Sequence, residues 1–436
     1  MLMPLLSEVD PRETSEGSLD PLGLYPIADD LGLKLVPGVR ERQKHPRFLT
    51  SIAVSLAVCQ DFAEDAVAKD GASEPWLVFE WLLTEGLVRQ AADGTELIGL
   101  PGSQKVMQAV FRDGRPLSAK NYLKTPAVFG FHGVYRLLAK TLGIERNGRL
   151  WEQGDQLLRV WSEEQGLPGF VGTGGGEGAN CLRFFRRAVM EGLEKGYSEQ
   201  SPNWLGWKYF GKHLSVYGAG PRESRLIRQL LVSAADGHRR EVLEYLVSDA
   251  GRKKWSAAED SERKFHAALK KQASADLRTL LDAIEDYETF ARRLQDAFDD
   301  CLWEMTSTRG RTTAAAMAAL KNVQRAAVEI PVLFPRLRER LEVINASARF
   351  GEQFGDFAEP LSTTDFTERL LRHHRLNQKR KPPNGKAPWF ERFDDGTCMI
   401  RPGYLRDAGG SGGNEYTHAY RTRSLWTFAQ DLGLVK

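Results

Sequence analysis

Cysteine is scarce: four residues in 436 (Cys59, Cys181, Cys301, Cys398), dispersed and with no CxxC pair. That excludes a zinc ribbon and the disulfide framework of a small secreted scaffold, and leaves four reduced thiols in a cytoplasmic protein as the expectation. Long apolar runs are also missing. The longest near the start, Phe48 to Val58, is about 11 residues and contains Thr50, Ser51 and Ser55, whereas a membrane helix needs ~20. The opening Met1-Leu2-Met3-Pro4-Leu5-Leu6 runs straight into Glu8 and Asp10, which is no secretory signal. A charge excess of one sign is absent as well: 60 Lys+Arg against 58 Asp+Glu give +2, so only local clusters can point to a partner. Also missing are HExxH, an HxK with a following Asp, GxSxG, a Walker A loop and a DxD pair beside a lysine. No enzyme class, cofactor or metal is therefore indicated. What remains is an average globular composition, 42% hydrophobic and 27% charged, in a chain of two to four domains at ~100–200 residues each.

Four regions follow. Residues 1–47, rich in Pro, Gly, Asp and Glu without periodicity, are expected to form an extended arm or to be partly disordered. Residues 48–166 read as a tandem winged-helix-like region. Phe48–Phe62 and Trp76–Leu83 are helical, and Leu87–Gln90 and Thr95–Ile98 flank Asp93-Gly94 as a hairpin. The order repeats with the helix His132–Leu142, stopped by Gly143, a hairpin around Asn147-Gly148, and the helix Glu152–Gln165. Two helix–hairpin units suit winged modules on nucleic acid and equally suit α+β caps for protein contacts. Gly166–Gly178 lacks a preceding strand and a closing Lys-Ser/Thr, so it reads as a domain boundary rather than a phosphate loop. Residues 180–350 read as a helical domain. Within Ala275–Met305 an apolar stripe steps every 3.5 residues and needs a partner helix. Thr313–Val328 is the expected partner, after a turn at Arg309-Gly310-Arg311, with Pro331 and Pro335 ending helix formation. A dimer contact is the alternative use of that stripe. Residues 351–436 read as a basic α+β unit. Its parts are a helix N-capped by Thr364, two extended stretches around Asp394-Asp395-Gly396, a flexible loop Ala408–Asn414 and a closing helix Thr422–Leu432. The fold class is thus mainly α: winged-helix-like modules with small β-hairpins, a central helical domain and a small α+β C-terminal unit.

The densest charge bias is Arg369–Phe390, which holds Arg369, Arg372, Arg375, Lys379, Arg380, Lys381 and Lys386 with no carboxylate between Arg369 and Phe390. Such a run binds phosphates by releasing counterions, and Trp389, Phe390 and Tyr404 are placed to stack on bases. An acidic protein partner, or a solvated helix end favoured by the helix dipole, uses the same cations. A second basic set is Lys120, Lys124, Arg136 and Lys140; Arg136 and Lys140 share a helix face and would meet phosphates or base edges, or simply water. Candidates for hidden acid–base or metal chemistry are His373, Asp394, Asp395 and His418, with Glu391 nearby. His373 and His374 are adjacent on a helix and point about 100° apart, so they suit a surface better than one metal.

Three stretches carry a resemblance. They are Gly133–Gly143 with Gly148-Arg149-Leu150; Tyr287–Ala291 with Asp296–Asp299; and Lys381–Phe390 with Arg401-Pro402 and Tyr420-Arg421. They are similar to bacterial proteins of phage-defence gene clusters that have winged-helix-like N-terminal modules. The resemblance implies a cytoplasmic accessory protein acting with a helicase, nuclease or methyltransferase, and it transfers no catalytic residue. The expected function is therefore non-catalytic DNA binding within an anti-phage system. A metal-dependent nuclease subunit and a helical interaction scaffold are the alternatives.

Overall fold

The computed structural model describes residues 20–91, 94, 97–233, 237–257, 261–382 and 384–435. Among them the fold is mainly α with small β-hairpins, and its only sheets are two two-stranded ones. The principal helices are α1 (Tyr25–Leu35), α2 (Phe48–Cys59), α3 (Pro75–Gln90), α4 (Phe131–Thr141), α5 (Glu152–Glu164), α6 (Glu177–Lys195), α7 (Leu205–Leu214), α8 (Pro221–Ser233), α9 (Ala275–Ser307), α10 (Lys321–Val343), α11 (Thr363–Arg380) and α12 (Thr422–Asp431). The hairpins are β1 (Glu145–Arg146) with β2 (Arg149–Leu150), and β3 (Phe390–Arg392) with β4 (Cys398–Ile400).

The chain forms two compact units: residues up to 34 with 254–420, and 35–253 with 421–436. The glycine-rich 166–178 lies inside one unit because its apolar residues are used. Leu167 is buried, and the Phe170 ring meets Trp161 edge-on at 4.8 Å. The expected arm is also folded from residue 20 onward. Asp20 accepts the Gly23, Leu24 and Tyr25 amides at 2.8–3.0 Å, and Leu22, Leu24, Ile27 and Leu31 are buried.

In the unit of 35–253 and 421–436, α2 is buried on every side from Phe48 to Val58, with Thr50, Ser51 and Ser55 buried among its apolar residues. A buried ion pair holds its start. Arg47 donates to Glu223 at 3.2 and 3.3 Å, to the His213 carbonyl at 3.0 Å and to the Ser215 carbonyl, and Thr50 donates to Glu223 at 2.7 Å. The helix α3 runs on through Leu87–Gln90 in place of the expected strand, because Leu87 and Val88 are buried together with Leu77–Gly86. Of the rest of that expected hairpin, Asp93, Thr95 and Glu96 lie outside the described residues, and Leu97 and Ile98 form a turn rather than a strand, with the Leu97 amide donating to the Gly94 carbonyl at 3.1 Å. The second hairpin forms as expected. Asn147 and Gly148 take φ 52° and 77° in the β1–β2 turn, and Gly143 ends α4 at φ 71°.

In the unit of 20–34 and 254–420, α9 packs antiparallel on α10 within the chain. The ion pairs Asp286–Arg336 and Arg293–Glu329 and the Asp300–Asn322 hydrogen bonds step in opposite directions along the two helices. The apolar stripe of α9, from Leu277 to Met305, is buried within the chain. Pro331 and Pro335 do not end α10. Each removes a single ladder N–H, and burial of Ile330, Phe334, Leu337 and Leu341 holds the helix together. The loop 408–414 is pinned rather than loose. Asp300 accepts the Gly410 amide at 2.8 Å, Asp296 accepts the Ser411 and Gly412 amides at 3.1 Å, and Asn322 and Arg325 donate to the Gly410 and Gly412 carbonyls. The N-cap of α11 is Ser362, which accepts the Asp365 amide at 3.1 Å, rather than Thr364.

Candidate nucleic-acid interface

The basic run divides between two sides of α11 because helical period separates its residues. Arg372, Arg375 and Lys379 fall at i, i+3 and i+7 on an exposed face, and Arg380 is exposed beside them. Among the described residues Arg375, Lys379 and Arg380 meet no carboxylate, whereas Arg372 pairs with Asp356 at 3.1 Å. Lys386, just beyond the helix, is half-exposed.

The opposite side holds the chain's own backbone. His373 Nε2 donates to the Leu22 carbonyl at 2.8 Å, Asn377 Nδ2 to the Pro21 carbonyl at 3.1 Å and Lys381 Nζ to the Asp20 carbonyl at 2.7 Å. His374 accepts the Trp389 amide on Nε2 at 3.0 Å, so its Nδ1 carries the proton donated to the Pro21 carbonyl at 2.9 Å. Burial pushes His374 down to about 3, His373 below the ordinary histidine value, and the Lys381 ammonium down to about 8. Lys381 Nζ is thus turned toward residues 20–22, away from the exposed cations Arg375, Lys379 and Arg380. Its charge is half-buried against residues 20–22 and is spent on a carbonyl.

The expected stacking aromatics are also taken. Trp389 is 6% exposed and Phe390 1%. Tyr404 stacks on Trp389 with ring centroids 4.9 Å apart and planes 10° off parallel, and the Arg406 guanidinium lies 5.2 Å from the Trp389 ring. No face of Trp389 is open to a base.

The second basic set lies in the other unit. Arg136 and Lys140 share the buried carboxylate of Glu145 on β1, at 2.8 and 3.9 Å, which ties them to the hairpin while leaving them partly exposed. Lys120 and Lys124 are exposed in the connection before α4.

The candidate catalytic residues are not gathered. Asp395 caps the β3–β4 turn through the Thr397 amide at 3.0 Å and pairs with Arg311 at 3.4 Å, and Asp394 is exposed on the same turn. Glu391, exposed on β3, lies 3.9 Å from Arg401. His418 Nδ1 instead meets Glu288 at 2.7 Å; that carboxylate also accepts the Tyr420 hydroxyl at 2.7 Å and the His418 amide at 3.2 Å. Arg311 follows the C-terminal end of α9 whereas Glu288 sits on its body, so about 28 Å of helix at 1.5 Å per residue separates the two places. Among the described residues no group of three or more His, Cys, Asp and Glu is placed to hold a metal.

Three buried groups that the sequence reading did not single out are strongly perturbed. Glu80 accepts the Tyr122 hydroxyl and the His132 amide, each at 2.8 Å, and burial without a cation raises it to about 7. His132, stacked on Trp76, is pushed down to about 3 by burial and by Arg136 and Lys140. His266, buried among Phe265, Tyr416 and Tyr420, is also driven to about 3 by burial. Tyr122 and His132 about Glu80, and Tyr416 and Tyr420 about His266, are distant in the chain, so no local pattern marks these two.

The chain matches no known family model, no curated protein and no solved structure. A functional reading rests on these side chains and on the resemblance given above.

Proposed function

We propose that this chain is a non-catalytic, DNA-binding accessory component of a bacterial anti-phage system, gripping duplex phosphates with the exposed end of α11. The observation that carries this is the trio Arg375, Lys379 and Arg380, exposed together on the last turns and paired with no carboxylate among the described residues. Helix-dipole attraction accounts for one or two cations near a C-terminus and is screened within a turn. Three exposed cations with Arg372 alongside form a larger positive surface than that, and this supports a polyanion as the partner. The defence context and the helicase, nuclease or methyltransferase partners come from the resemblance.

The test is DNA affinity against salt. Each phosphate contact contributes about −0.9 to the slope of log K on log salt. The triple variant R375E/K379E/R380E is expected to flatten that slope by about two to three. Absence of binding, a salt-independent signal, or an unchanged slope in the triple variant overturns the reading.

A further inference from the structure

A cleft of about 570 Å³ lies between α6 and the turn after α2, wholly within the unit of 35–253. That is the size of a small-molecule site. Phe62, Phe184 and Met190 give it an apolar lining, and Met190 is 47% exposed among the described residues. Arg183, Arg186 and Arg187 rim it, from the sequence Arg183-Phe184-Phe185-Arg186-Arg187 on one helix.

The three guanidiniums differ in what they already hold. Arg187 donates to Glu191 at 2.9 Å. Arg186 pairs with Asp61 at 2.6 Å and donates to the Ala57 carbonyl at 3.1 Å. Its buried Nε–H nevertheless finds no acceptor among the described residues. Arg183 reaches only the Asn180 side-chain oxygen and meets no carboxylate among them. The rim thus carries one guanidinium beyond what Asp61 and Glu191 neutralise.

We infer that this cleft binds a small anionic amphiphile, an apolar acyl or aryl body seated on Phe62, Phe184 and Met190 with a single carboxylate-type head at Arg183 and Arg186. A polyanion suits it poorly, because most of the lining is apolar and only one positive charge is in excess. A cationic or uncharged amphiphile leaves the Arg183 charge unmatched. This site is independent of the α11 face.

Isothermal titration of the full chain with decanoate and with 2-naphthoate tests it, and separates an acyl from an aryl body. Decanol and decyltrimethylammonium serve as controls. Saturable binding of at least one carboxylate is expected, weakened at least about tenfold by Arg183→Gln, the loss of one charge-assisted contact. Met190→Glu, which places a carboxylate on the apolar lining, is expected to weaken it similarly. Both residues are exposed, so thermal melts should match the parent, and the salt slope for DNA should not change. No saturable heat from either carboxylate at millimolar concentration, unchanged affinity in both variants, or equal binding of the cationic amphiphile overturns the inference.

Discussion

Glu80 makes stability fall as pH rises, and the size of the effect follows from its surroundings. The carboxyl sits on α3 at 1% exposure, with two hydrogen bonds from Tyr122 and His132 and no cation among its contacts. Burial lifts it from its ordinary 4.5 to about 7. The native state therefore holds a proton between those values that the unfolded state releases. Stability is fully present below about pH 4.5 and declines until about pH 7. At about 1.4 kcal/mol per pH unit, the loss is about 3 kcal/mol. Glu80→Gln removes the titration and keeps an acceptor for the His132 amide and a polar group for Tyr122. Urea unfolding of parent and variant, followed by tryptophan fluorescence at pH 4.5 and pH 8, reads the effect as a difference of differences, so groups common to both proteins cancel. The variant is expected to gain about 3 kcal/mol relative to the parent between the two pH values. A difference that stays constant with pH would refute the reasoning.

Three further outcomes follow from packing. Arg47→Met leaves Glu223 buried without its cation and should cost about 3–5 kcal/mol in urea unfolding, whereas Arg47→Met combined with Glu223→Leu should recover most of it. Gly410→Ala places a methyl 2.4 Å from the Asp296 carbonyl oxygen, so the Gly410, Ser411 and Gly412 amides should exchange hydrogen faster while those of α9 do not. Trp389→Ala should lower stability by about 3–5 kcal/mol yet leave the salt slope of DNA binding unchanged, since the ring is packed between His374, Tyr404 and Arg406 rather than offered to bases.

Local pattern determined a good deal. The largely apolar stretch of α2, the 3.5-residue stripe of α9 and the Asn147-Gly148 turn each specify their element through short-range pattern or backbone conformation, and each forms. The basic run on α11 was visible as composition. How it divides was not, because residues one apart on a helix point about 100° apart; burial of Phe366, Leu370 and Leu371 sets the inward side of α11, and the contacts of residues 20–22 take His373, His374 and Lys381 with it. The same long-range dependence explains the prolines inside α10, tolerated because burial against α9 outweighs two missing hydrogen bonds. It explains the anchored loop 408–414, held by acidic side chains more than a hundred residues earlier. The unit borders, the sheltered Trp389, the separation of His418 from Asp394 and Asp395, and the raised Glu80 all depend on neighbours distant in the chain. Periodicity carries information over a few turns of helix. Burial and charge environment are set by whatever the fold brings alongside, and for this chain that was decided by tertiary structure alone.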